Sequence, residues 1–341
     1  MLYDAAWAHR YLADIEVAAA RDRLQAERQK QPGKQAEIAR QDIPIQPAEE
    51  RARAAYKNLI SSFADLPLAS EARFELGELY AERAELDPAI AVLKEAIDKE
   101  PPQELTDRIR LRLGVCLAAK KDFKGALTHF ESITDAKSPL FAQATYRVGE
   151  CLIDLGDYAK ATTRLAVFRD KGEFQNIAGV SDRALLRLGY ALGKAEQWEP
   201  SRQAYEILTQ RFGNSPSVGE ARYGIGWARQ KQRQFDEAVN AYNAVVNSTT
   251  NELAAKAQLQ IGICRMEQKR FAEATSALLI VATTYDFPEL TAAALLEASR
   301  GYVELKNREQ AERLLRRVLR DFPGTEWAKV AQERLDALRK G

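Results

Sequence analysis

The sequence predicts an all-α solenoid of about eight helical hairpins followed by a capping helix. A small residue recurs at Gly77, Gly114, Gly149, Gly189, Gly226, Gly262 and Ser299, at spacings of 37, 35, 40, 37, 36 and 37 residues. Twelve residues after each stands a second small residue: Ala89, Ala126, Ala161, Ser201, Ala238, Ala274 and Ala311. Four residues further on comes a large apolar one: Leu93, Phe130, Leu165, Tyr205, Tyr242, Leu278 and Leu315. The residue nine after the first small one is aromatic in five of the seven units (Phe123, Tyr158, Trp198, Phe235 and Phe271), with Leu86 and Arg308 in the other two. A small residue on each helix lets two backbones approach, and an aromatic near the turn fills the wedge between them. Each hairpin leaves an apolar face that only a stacked neighbour can bury.

Taken in order, residues 1–63 read as a degenerate first hairpin, with Ala5 and Trp7 where Ala72 and Phe74 fall later. A solenoid normally starts with a polar cap. This start in mid-pattern carries the expectation of a longer parent chain or a trimmed start. Between the two helices of that hairpin, residues 25–47 contain Pro32-Gly33 and Ile43-Pro44-Ile45-Gln46-Pro47, which cannot continue a helix. An extended, solvated insertion is expected there, either as a plain connector or as a tethered recognition loop. Its second helix, residues 48–63, carries Ala52 and Tyr56 as the later small and aromatic pair. Residues 64–324 hold the seven repeats. Residues 325–341 form the cap, with Trp327, Ala328, Ala331, Leu335 and Leu338 on one side. Arg313, Arg316, Arg317 and Arg320 just before it suit a helix C-terminus, with a basic binding patch as the alternative.

The run Leu76, Gly77, Tyr80, Ala89, Ala96, Pro101 resembles the tetratricopeptide repeat, and the resemblance covers nearly all the chain from about residue 50. It implies a right-handed superhelix that serves as a non-enzymatic scaffold binding a protein or peptide in its concave groove. The long units and connectors such as Phe322-Pro323-Gly324 are similar to those of bacterial cell-envelope repeat proteins that accompany outer-membrane assembly and the Tol-Pal system. That similarity implies envelope assembly as the setting and the periplasm as the compartment. An accessory or regulatory domain of a larger protein is the alternative. The family's chaperone-tail clamp places lysine three residues before the glycine and asparagine just after it. Neither residue occurs at those positions here.

Composition excludes other classes. A net charge of +1 argues against nucleic-acid binding by bulk electrostatics, and no apolar run is long enough to span a membrane. Residues 1–7 lack the basic leader and apolar core of a signal peptide. No catalytic constellation, cofactor motif or metal-ligand spacing occurs. His9 and His129 stand alone, and Gly224-Ile225-Gly226 lacks the third glycine and the strand of a nucleotide fingerprint. Cys116, Cys151 and Cys264 share one repeat position and read as small apolar fillers, since stacked helices lie ~8–10 Å apart, too far for a disulfide.

At about 100° per residue, the positions six, three and two before the glycine and one, four and five after it share a face. That face is expected to line the groove. It opens acidic with Glu71, Glu75, Glu78 and Glu82, then turns basic with Arg108, Arg112, Arg147, Arg183, Arg187, Lys194 and Lys231. Tyr146, Tyr190, Tyr223 and Trp227 stand among these cations, a composition typical of interface hot spots. The expected partner is an acidic peptide or protein. The alternative is that the arginines pair with carboxylates of adjacent repeats.

Overall fold

A computed structural model describes residues 2–29 and 38–340, and every regular element among them is a helix. The chain divides into two compact units, residues 1–157 and 158–341. The first holds α1 (Leu2–Gln29), α2 (Pro47–Ser62), α3 (Pro67–Glu82), α4 (Leu86–Asp98), α5 (Gln103–Ala119), α6 (Phe123–Glu131) and α7 (Phe141–Asp154). The second begins with α8 (Tyr158–Leu165), α9 (Val167–Asp170), α10 (Ser181–Lys194), α11 (Trp198–Arg211), α12 (Val218–Lys231) and α13 (Phe235–Val246). It continues with α14 (Glu252–Glu267), α15 (Phe271–Thr284), α16 (Pro288–Glu304), α17 (Arg308–Asp321) and α18 (Glu326–Lys340). Within each unit, successive helices pack on one another as stacked hairpins.

The repeat positions explain this packing. A Cβ added to Gly77, Gly114, Gly189, Gly226 or Gly262 would stand 2.4–2.7 Å from the side chain of the residue sixteen later (Leu93, Phe130, Tyr205, Tyr242 and Leu278 respectively). The glycine therefore makes room chiefly for the large side chain of the partner helix. The second small residues are all fully buried, and the Ser201 hydroxyl donates to the Gly189 carbonyl at 2.6 Å across its hairpin. The residue nine after the glycine is the first residue of the second helix in every one of the seven repeats.

The turn is equally regular. Ala84, Lys121, Gly156, Glu196, Arg233, Lys269 and Lys306, each seven residues after the repeat residue, adopt left-handed φ values of 56–77°. The next N–H bonds back to the carbonyl five residues earlier, as in Glu85 to Tyr80 and Asp122 to Leu117, both at 2.9 Å. This is the Schellman closure, which usually places glycine at the left-handed position. Only Gly156 does so here.

The first hairpin departs from expectation. α1 stays helical to Gln29, and residues 30–37 of the expected insertion lie outside the described residues. From Ile38 onward the segment is largely exposed but anchored at two buried points. Ile38 and Ile43 are 1% exposed and sit against Val17, Ala20 and Leu24 of α1. A buried charge holds the segment down. Arg83 pairs with fully buried Glu49 at 2.7 Å, donates to the carbonyl of Arg40 at 3.0 Å, and also donates to that of Ile43. At the other end, Ala331 and Leu335 of α18 enter the core of α14–α17, while Trp327 stays 37% exposed.

All three cysteines are free and buried. Burial pushes the Cys116 and Cys151 thiols up to about 11 and that of Cys264 to about 12, so they stay protonated at neutral pH.

Candidate functional site

The predicted face residues gather at two places, one in each unit. In the first, Arg108, Arg112 and Arg147 line a cavity of about 280 Å³ with Phe74, Glu78 and Leu111. The charges there are already answered. Arg112 makes a bidentate pair with Glu78. Arg108 lies 3.8 Å from Glu75 and stacks 4.4 Å over the Phe74 ring. Arg147 pairs with Glu150 at 2.7 Å. The acidic opening is likewise consumed, since Glu75 and Glu82 both pair with Arg10 of α1. Burial, against the pull of Arg10, still leaves both carboxyls above their ordinary range. Tyr146 is not an accessible recognition residue. It is 2% exposed and donates its hydroxyl to Glu150 at 2.5 Å. In this unit the charges pair with carboxylates of a neighbouring helix or, for Arg147, of its own helix, rather than facing a partner.

The second unit holds an aromatic-lined cavity instead. A cavity of about 280 Å³ opens between α10 and α12, lined by Arg187, Tyr190, Lys194, Tyr223 and Trp227 among the predicted residues. Leu186, Tyr205, Glu220, Gly224 and Leu253 complete it. Arg183 is exposed but lies outside this lining. Tyr190 is 37% exposed, and the Lys194 ammonium lies 5.5 Å over its ring. Trp227 meets Trp198 edge to face at 5.1 Å, and Tyr223 leans on Tyr242 at 5.3 Å. Lys231 stands 6.0 Å over Trp198, beside the cavity. Neither Lys194 nor Lys231 forms an ion pair among the described residues. Each is held by a ring face, where a cation retains its charge for a partner.

Sequence reasoning passed over Tyr205, Leu253 and Gly224. Gly224 was the available signal. Two residues before the repeat residue, the other six repeats carry Glu75, Arg112, Arg147, Arg187, Gln260 and Glu297, all long and polar. A Cβ on Gly224 would lie 2.4 Å from the Tyr205 ring.

A larger cavity of about 900 Å³ lies along α15 and α17, lined by Arg313, Arg316, Arg317 and Arg320. Arg316 pairs with Glu312 at 3.3 Å, and Arg317 and Arg320 pair with Asp321 at 3.2 and 2.7 Å. Three of its four arginines thus sit in a self-neutralised helix surface. Among the described residues, no cluster of three or more His, Cys, Asp or Glu could hold a metal ion. None of the helices searched is long and apolar enough to cross a membrane.

A family model described as a tetratricopeptide repeat-like domain matches residues 22–167. Two tetratricopeptide repeat models match residues 223–285, and residues 183–215 and 293–325. No curated protein matches the chain. Among solved structures, a tetratricopeptide repeat protein from Parabacteroides merdae is 16% identical with a TM-score of 0.54, over 79% of this chain and 98% of that one. The apo form of RapI gives 14% identity and a TM-score of 0.53, over 80% and 99%. A signal transduction ATPase with a tetratricopeptide repeat sensor, from Pyrococcus horikoshii, gives 15% and 0.58, over 84% of this chain and 46% of that one. At these identities the likeness shows the fold, stacked helical hairpins.

Proposed function

The chain is a tetratricopeptide repeat protein, a class of generally non-catalytic protein-interaction scaffold, and we propose that it binds an acidic peptide segment along the α10–α12 face. One observation carries this reading: the cavity at Tyr190, Tyr223 and Trp227, with Lys194 held over an exposed ring beside it. Apolar walls supply affinity, and the cations steer an acidic partner toward them. In the first unit the corresponding arginines are tied to Glu75, Glu78 and Glu150, so they support the scaffold rather than recognition. Bacterial envelope assembly is the setting this reading favours, on the strength of the envelope-like connectors.

The test compares the wild-type chain with a Lys194→Glu, Lys231→Glu double variant as baits for cytosolic and envelope extracts. Both lysines are exposed, so the variant keeps its helical signal. The expected result is a protein partner recovered from the envelope fraction by wild type and lost by the variant. A partner retained equally by both would move recognition off this face. One recovered only from cytosol would remove the envelope setting.

A further inference from the structure

The α10–α12 cavity owes its shape to two glycines that the repeat itself does not require. Gly224 occupies the position where six other repeats place a long polar side chain. With no Cβ there, the Tyr205 ring packs one edge on the Gly224 backbone, while the opposite edge lies against Gly189. Gly193, four residues after the repeat glycine, plays the same part for the second wall. A Cβ there would stand 2.3 Å from the Trp227 ring, and the other repeats carry Ala81, Ala118, Ile153, Gln230, Met266 and Val303. Both exceptions to the pattern fall beside one hole.

The floor of that hole carries an unused polar group. Tyr205 is only 4% exposed, yet it lines the cavity, and its hydroxyl makes no hydrogen bond among the described residues. Its oxygen is not enclosed, so a group entering the cavity can reach it. The volume of about 280 Å³ lies just below the ~300–1,000 Å³ of small-molecule sites. It suits one large side chain rather than a cofactor.

We propose that this cavity is a socket for a single aromatic side chain of the acidic peptide, seated beside the Tyr205 ring that Gly224 admits. The inference rests on the peptide-binding reading above and adds the residue that reads the partner. The incoming ring packs between Tyr190, Tyr223 and Trp227 in edge and offset contacts, which aromatic pairs favour. The Tyr205 hydroxyl is left to bond a polar atom of the partner beside that ring. Acidic residues flanking the ring meet Lys194 at the rim. Charge complementarity is what selects an acidic segment over other occupants of an apolar hole.

The test uses the full chain and two fluorescent peptides of about twelve residues, rich in Asp and Glu, one with a central Phe and one with Ala there. Anisotropy should show the Phe peptide binding at least about tenfold more tightly, a difference of about 1.4 kcal/mol. Trp227→Ala and Gly224→Gln should each reduce the Phe peptide to the affinity of the Ala peptide. Trp227→Ala only removes a partly exposed side chain, so it carries the test if Gly224→Gln fails to fold. Equal binding of both peptides to wild type would overturn the socket while leaving acidic-peptide binding standing. A Phe preference that survives Trp227→Ala would also overturn it. Binding of neither peptide would overturn both readings.

Discussion

Two residues before the repeat glycine, α5 carries Arg112 and α12 carries Gly224, and the two units differ much as those residues do. In the first unit the long side chain reaches back to Glu78 on α3 and closes the face with an ion pair. In the second, the missing side chain admits the Tyr205 ring, which floors a cavity walled by Tyr190, Tyr223 and Trp227. The turn, the glycine–large-residue contact and the buried small residue are the same in both. One frame thus carries two kinds of surface, because the face positions lie outside the contact between the repeat glycine and the large residue sixteen later. The first unit also depends on charge in its interior, through Arg83 and Glu49, where the cores of the second, around Tyr242 and around Leu278 and Leu315, are built from apolar residues.

The largest expected effect tests that contrast directly. Arg83→Met leaves Glu49 buried without its main partner and frees three backbone carbonyls of the 40–44 segment. It should cost about 3 kcal/mol, the lower end for breaking a buried pair. Hydrogen exchange should show the loss in the first unit, with residues 158–341 unchanged, as expected where repeats depend on their neighbours. A uniform loss across both units would break the comparison.

A smaller effect tests the shared frame. Gly156→Ala places a Cβ at a φ of 77° and should cost about 1 kcal/mol. Lys121→Gly and Lys269→Gly, one in each unit, should each gain a few tenths to about 1 kcal/mol for the same reason. Similar shifts in urea midpoint for the two glycine variants would show that one turn serves both units.

The smallest effect is a pH dependence in the first unit. Burial, helped by Lys94 and Arg110, holds the His129 imidazole below its usual 6.5. Its protonation therefore favours the unfolded chain. The stability tied to neutral His129 is fully present above pH 6.5 and is lost as pH falls through 6.5 toward the lower folded value. His129→Gln should flatten the decline of the first unit's stability between about pH 7.5 and about pH 5. An unchanged slope in thermal melts would show that the ring is as well solvated folded as unfolded.

The sequence by itself determined the frame. Gly77 and its counterparts, Ala89 and its counterparts, and the large residue sixteen after each glycine are hairpin contacts at fixed spacing, so periodicity alone reveals them. The face positions were legible as a set too, since helical angle alone groups Arg187, Tyr190, Lys194, Tyr223 and Trp227. Only the tertiary structure decided which of them meet a carboxylate. Whether Arg112 faces a partner or Glu78 depends on a residue 34 positions away on another helix, and angle on one helix says nothing about that distance. The same holds for Ile43 and Arg83, which anchor an expected free connector across 40 residues of chain. It holds also for Tyr205, whose role as a floor follows from the room that Gly224 gives its ring. Local periodicity specifies which residues share a face; the long-range pairing of charges and the holes between helices are properties of the packed chain alone.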